Sequence, residues 1–159
     1  MRIKRKNVDV LSAQYIVGLT EGEGCFLICL RKDFRIDLRF FISQAEGNRR
    51  LLEEVRQFFG VGSVYQKSSR DRGRLPAWVF EVAKRDDIYK VIIPFFKRNK
   101  LGGYKAKSFA AFCEIAEIVR GRQDTRKLNS QELTYVRRLK LGMNKHYGSP
   151  GAGKPHAGP

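Results

Sequence analysis

Histidine is nearly missing from this chain: 159 residues include two, His146 and His156, both close to the C-terminal end. That scarcity argues against nucleases that use a histidine base. It also argues against a zinc centre, which would want histidine beside its cysteines. No Ser-His-Asp or Cys-His arrangement is available for nucleophilic catalysis. Cysteine is equally sparse. Cys25, Cys29 and Cys113 cannot all pair and show no CxxC spacing, so they read as reduced thiols of an intracellular protein. No apolar run approaches the ~20 residues of a membrane-spanning helix. The basic start, residues 1–6, is followed by Asn7 and Asp9 rather than an apolar signal core. A glycine-rich phosphate loop followed by Lys-Ser or Lys-Thr is also missing, which excludes a P-loop NTPase.

Acidic residues are the next shortage. Sixteen Asp and Glu face 32 Lys and Arg, a formal net charge of +16. Such a charge repels itself in the compact state and is easiest to understand with a polyanionic partner. Nucleic acid fits best, because every phosphate neutralised releases condensed counterions. A membrane surface fits poorly, since the basic residues do not share one amphipathic helix with an apolar stripe. A merely soluble basic protein is the bland alternative.

Patterning predicts one domain over residues 1–143, with a Gly/Pro-rich, disordered tail at 144–159. Leu11, Tyr15, Ile16 and Leu19 recur at helical spacing between Val10 and Gly22, with Ser12 as cap and Gly24 as terminator. Strand-like alternation follows: Phe26, Ile28 and Leu30, then Ile36, Leu38, Phe40 and Ile42, joined by a turn at residues 31–34. Asn48 is positioned to cap a helix to Phe59. A second hairpin spans residues 63–67 and 77–83. A helical stretch near residues 86–96 contains Pro94, awkward for a continuous helix. Residues 105–120 and 130–143 complete the helices. The expectation is an α+β fold, with one antiparallel sheet and helices on one face.

The unusual segment is Ile16-Val17-Gly18-Leu19-Thr20-Glu21-Gly22-Glu23-Gly24. Glycines four apart in a helix weaken it unless something packs very close. Two acids at the carboxyl end oppose the helix dipole, which a cation would explain. Carboxylate oxygens suit Mg²⁺ completed by substrate phosphates.

These nine residues resemble the namesake motif of the LAGLIDADG homing endonucleases. Gly18, Leu19 and Gly24 match it letter for letter, and Glu21 and Glu23 stand where aspartates are usual. The resemblance extends over about residues 10–120, including Gly60-Val61-Gly62-Ser63-Val64-Tyr65 and the stretch from Pro94 to Phe109. It implies an αββαββα fold whose antiparallel sheet forms a DNA-binding saddle. It also implies a Mg²⁺-dependent enzyme that hydrolyses phosphodiester bonds at a long pseudo-palindromic site of double-stranded DNA. With a single motif, the chain resembles the homodimeric, intron-encoded branch, placed in the cytoplasm or in an organelle carrying the intron. Tyr15, Gly18, Leu19 and Gly22 would form the dimer contact. Glu23, with the carbonyl of Gly22, would hold the metal, while Glu21 supports the helix end. Glu23 departs from the usual aspartate by one methylene. Gln44 matches a polar residue that organises water near the scissile phosphate, and Lys105 a lysine near the same phosphate. The plain alternatives are a strand-end polar group and a solvated lysine. An RNA-binding intron maturase, or a catalytically inactive DNA-binding relative, is the rival implication.

The hairpins would supply the DNA face: Arg31, Lys32, Arg35 and Arg39 from the first, Tyr65, Lys67, Arg70, Arg72 and Arg74 from the second. A β-ribbon fits the major groove, where Arg reads guanine. Lys97 and Arg98 read as phosphate contacts, which position without specifying.

Overall fold

The computed structural model describes residues 11–67 and 76–143. The expectations for the basic start, for Arg70, Arg72 and Arg74, and for the 144–159 tail lie outside the described residues.

Helix α1, Ala13–Glu23, begins at Ser12, whose Oγ accepts from the Tyr15 amide at 3.1 Å. It ends at Gly24 for a reason other than backbone freedom. Gly24 is extended (φ −83°, ψ 153°), and a Cβ there would stand 2.6 Å from Thr20 Cγ2 and 2.8 Å from Thr20 Cα. Only glycine lets the chain turn this tightly from helix into strand.

Strand β1, Gly24–Leu30, pairs antiparallel with β2, Ile36–Ala45. Phe26, Ile28, Ile36, Leu38, Phe40 and Ile42 are buried on one face, the face that alternation assigned to the core. In the connecting turn the Arg31 amide donates to the Arg35 carbonyl, and Phe34 adopts a left-handed φ of 63°. Strand β2 runs past Ile42 because its ladder with β4 continues to the Ala45–Ala77 pair. Gln44 therefore lies inside the strand, not beyond it.

Helix α2, Arg49–Phe59, buries Leu52, Val55 and Phe59. Asn48 precedes it but does not cap it. Its backbone (φ −99°, ψ 18°) is not extended, as a capping side chain requires, and its Nδ2 donates to Gln44 Oε1 instead. Strands β3, Ser63–Lys67, and β4, Ala77–Val82, complete an antiparallel sheet of order β1-β2-β4-β3.

Pro94 does not break the next helical stretch. Helix α3, Arg85–Asp87, a π turn, Ile88–Ile92, and α4, Ile93–Arg98, follow without a gap. The wider turn lets the Ile93 amide reach the Ile88 carbonyl, and Pro94, with no N–H to donate, falls in the first turn of α4. Helices α5, Gly103–Val119, and α6, Ser130–Met143, close the layer. Between sheet and helices lies a phenylalanine core, with Phe26 5.1 Å from Phe40 and Phe95 4.9 Å from Phe96, centroid to centroid. Burying each such ring contributes about 1.5–3 kcal/mol. Between α5 and α6, Thr125 Oγ1 accepts from the Ile36 amide at 2.9 Å, satisfying a donor that β4 does not reach. The fold is the α+β arrangement expected, with helices on one face and the other face open.

Candidate catalytic centre and nucleic-acid interface

The two motif acids part company at the end of α1. Glu21 Oε1 accepts from the Gly102 amide at 2.6 Å, just ahead of α5. It therefore ties the end of α1 to the start of α5. Glu23, the last residue of α1, is exposed.

Lys105, in the first turn of α5, is buried at 9% exposure, and its ammonium donates to the Gly24 carbonyl. Burial holds its pKa below the ordinary lysine value, partly offset by Cys25 and Glu23. Burial likewise pushes the Cys25 thiol up, against the pull of Lys105. The fold thus brings Lys105 and Glu23, distant in sequence, to one end of α1. Gln44 stands two residues past Ile42, the ladder partner of Gly24. It shares the core-side parity of Ile42, and its amide oxygen is engaged by Asn48.

Among the described residues, no three His, Cys, Asp or Glu side chains converge on a metal position. The donor set still fits Mg²⁺, which keeps waters and takes one or two carboxylates with phosphate oxygens. Glu23 and the Gly22 carbonyl would be this chain's share.

One face of α1 is uncovered by the described residues. Tyr15 is 47% exposed, Gly18 and Gly22 are exposed, and a Cβ at either glycine meets nothing within 4 Å. Leu19 lies half-buried on the same side, while Ile16 and Thr20 point into the core at 0% exposure. Among the described residues nothing packs close to these glycines.

The open face of the sheet carries the basic residues, but not as bare cations. Arg31 pairs with Asp37 at 2.6 Å, Arg35 with Asp33 at 3.1 Å, and Arg39 with Glu81 at 3.2 Å. The Tyr65 hydroxyl donates to the other Glu81 oxygen at 3.1 Å. Lys32 and Lys67 are exposed nearby on the two hairpins. Lys97 and Arg98 are exposed on α4, in the helical layer rather than on the sheet's open face. The acids facing these arginines differ in how far the sequence reveals them. Asp37 was legible on the outer face by alternation, whereas Glu81 meets Arg39 only through the β2–β4 register, in which Phe41 opposes Glu81.

A family model described as LAGLIDADG endonuclease matches residues 16–116. A Neurospora crassa protein named probable intron-encoded endonuclease 2 is 27% identical over 139 residues, covering 83% of this chain and 29% of that protein. Schizosaccharomyces pombe probable intron-encoded endonuclease Cox1-I1b is 30% identical over 83 residues, half of this chain and 20% of its own length. Among solved structures, I-SmaMI bound to an uncleaved DNA target with calcium ions is 30% identical with TM-score 0.74, covering 91% of this chain and 48% of that one. The homing endonuclease I-GzeII in complex with its DNA target gives 26% identity and TM-score 0.75, covering 92% and 48%. The chain therefore spans less than a third of these two fungal relatives and about half of these two solved proteins.

Proposed function

Because the chain belongs to the LAGLIDADG endonuclease family, we propose that it is a site-specific, Mg²⁺-dependent DNA endonuclease. It hydrolyses both strands of a long, pseudo-palindromic duplex as a homodimer and is encoded within an intron. The observation that carries this reading is the exposed Glu23 beside the buried Lys105, at the end of a helix whose glycine face is uncovered.

Two copies packed through Tyr15, Gly18, Leu19 and Gly22 bring their Glu23 carboxylates to one centre between two sheets. Each open sheet face then lies along one half of the site, where its arginines read base edges. Lys97 and Arg98 add non-specific charge. Glu23 and the Gly22 carbonyl would hold the divalent ion, which when bound would supply positive charge at the scissile phosphate and lower the pKa of a water there. Lys105, fixed by the Gly24 carbonyl and drawn from bulk water, keeps a cation where charge accumulates in the transition state, where a preorganised charge is worth most. Gln44, in this reading, orders water beside the same phosphate.

The test is cleavage of a randomised duplex library in Mg²⁺ by wild type and by Glu23→Gln. Wild type should cut a defined site. The variant should lose roughly a hundredfold or more of that activity, the scale lost with one stabiliser of transition-state charge, while still binding the site. If neither protein cuts but both hold folded RNA in preference to duplex, the chain is an RNA-binding maturase.

A further inference from the structure

Glu81 stands in the middle of the open sheet face, on β4 between β2 and β3. Its rung is Ser63–Glu81–Phe41, so Arg39 and Tyr65 each lie one diagonal step away on opposite sides. Both reach inward to it. Arg39 donates from one terminal nitrogen to Oε1 at 3.2 Å, and the Tyr65 hydroxyl donates to Oε2 at 3.1 Å. The Glu81 side chain is 17% exposed and that of Arg39 34%, while Tyr65 keeps 40% of its surface. The acid is thus recessed and the two groups it binds stand proud of it. Arg39 Nε is buried without a hydrogen-bond partner among the described residues, so the arginine's remaining outward donors are on its terminal nitrogens.

We infer that Glu81 is a positioning residue for base readout, fixing which groups Arg39 and Tyr65 offer to the DNA. The inference rests on the DNA-cleaving reading above. Held from one side, Arg39 presents its free terminal N–H groups outward, the geometry that pairs with guanine O6 and N7. Tyr65 has spent its one proton on Glu81, so its oxygen faces the groove as an acceptor. In the major groove the complementary donors are the amino groups of adenine and cytosine, N6 and N4. Burial and the Glu81 charge both raise the Tyr65 pKa, so the hydroxyl keeps that proton at neutral pH. Glu81 also neutralises Arg39 against non-specific phosphates. The three residues together specify a guanine and a neighbouring amino-bearing base in each half-site.

The experiment is binding selection of full-length protein on a randomised duplex library, with Ca²⁺ in place of Mg²⁺ to stop cutting. Wild type, Glu81→Gln and Tyr65→Phe are compared position by position. Glu81→Gln should lose discrimination at those two positions by about tenfold or more, the lower part of the range for one good base contact, and keep it elsewhere. Its affinity for scrambled duplex should rise, with a log–log salt slope steeper by about 0.9, the effect of one freed charge. Tyr65→Phe, a change at an exposed ring that leaves the fold intact, should lose the amino-bearing position and keep the guanine. An unchanged profile in both variants, or an equal loss at every position, overturns the assignment. A wild type that selects a defined site, with a Glu81→Gln profile that matches it, refutes Glu81 alone. A wild type that selects no duplex overturns the endonuclease reading, and this inference with it.

Discussion

Thr20 is the residue in α1 whose chemistry does not suit its place. It is fully buried, and its Oγ1 finds no hydrogen-bond partner among the described residues. A buried, unpartnered hydroxyl costs about 1–3 kcal/mol. The side chain nevertheless has the right shape, since its Cγ2 fills the space against which Gly24 turns. Thr20→Val keeps that shape and removes the orphan oxygen, so it should stabilise the protein by about 1–3 kcal/mol. For a chain of this length that raises the melting temperature by roughly 2–4 °C per kcal/mol, readable by calorimetry. A lower melting temperature would mean that the hydroxyl has a partner, such as a bound water. Glu21 and Glu23 make the complementary point. Similar acids two residues apart differ in surroundings, one meeting the Gly102 amide and the other solvent.

At the scale of elements, the joint between α2 and β3 depends on glycine in two unlike ways. Gly60 (φ +69°) closes α2 with open space around it, whereas a Cβ on Gly62 (φ +87°) would lie 2.7 Å from the Glu81 carbonyl and from Phe80 Cε2. Gly60→Ala carries only the left-handed backbone penalty, about 1–2 kcal/mol. Gly62→Ala adds an overpacking cost of about 1–3 kcal/mol and pushes on the strand that carries Glu81. Urea unfolding should therefore rank Gly62→Ala well below Gly60→Ala, and equal losses would show that β4 yields without strain. These elements also show what the sequence could and could not say. Alternation put Phe26, Ile28, Phe40 and Ile42 on the buried face because period two is a property of the strand alone. The motif placed Glu23 and the open face of α1 because small residues and acids in one helix are local facts. Strand ends, by contrast, depend on neighbours: β2 reaches Ala45 because β4 is there to pair with it. Asn48 looked like a cap, but the φ and ψ set by the preceding turn sent its amide to Gln44. Pro94 looked like a break, and a π turn upstream absorbs it. The pairing of Arg39 with Glu81, and the bond from Lys105 to Gly24, needed register and tertiary packing that no local pattern holds.

At the scale of the whole molecule, the proposed homodimer must reconcile a net charge of +16 with self-association through α1. Two such copies repel each other at low ionic strength and are screened as salt is added, with a Debye length near 10 Å at 0.1 M. DNA binding has the opposite dependence, because it is driven by counterion release. Without DNA, the dimer should therefore tighten with salt while duplex affinity falls. The interface itself can be tested separately from the fold at Gly18. A side chain there enters open space in the isolated chain, and Met is a far better helix former than Gly, so Gly18→Met should stabilise the monomer by up to about 1 kcal/mol. In a dimer whose helices meet at this glycine, the same side chain forces the backbones apart. Sedimentation velocity of wild type and Gly18→Met across a salt series distinguishes the cases. A wild-type dimer that becomes a more heat-stable monomer in the variant places the contact on α1 and predicts loss of double-strand cutting. A wild type that sediments as a monomer at every salt concentration overturns the homodimer and the contact proposed for the glycine face of α1.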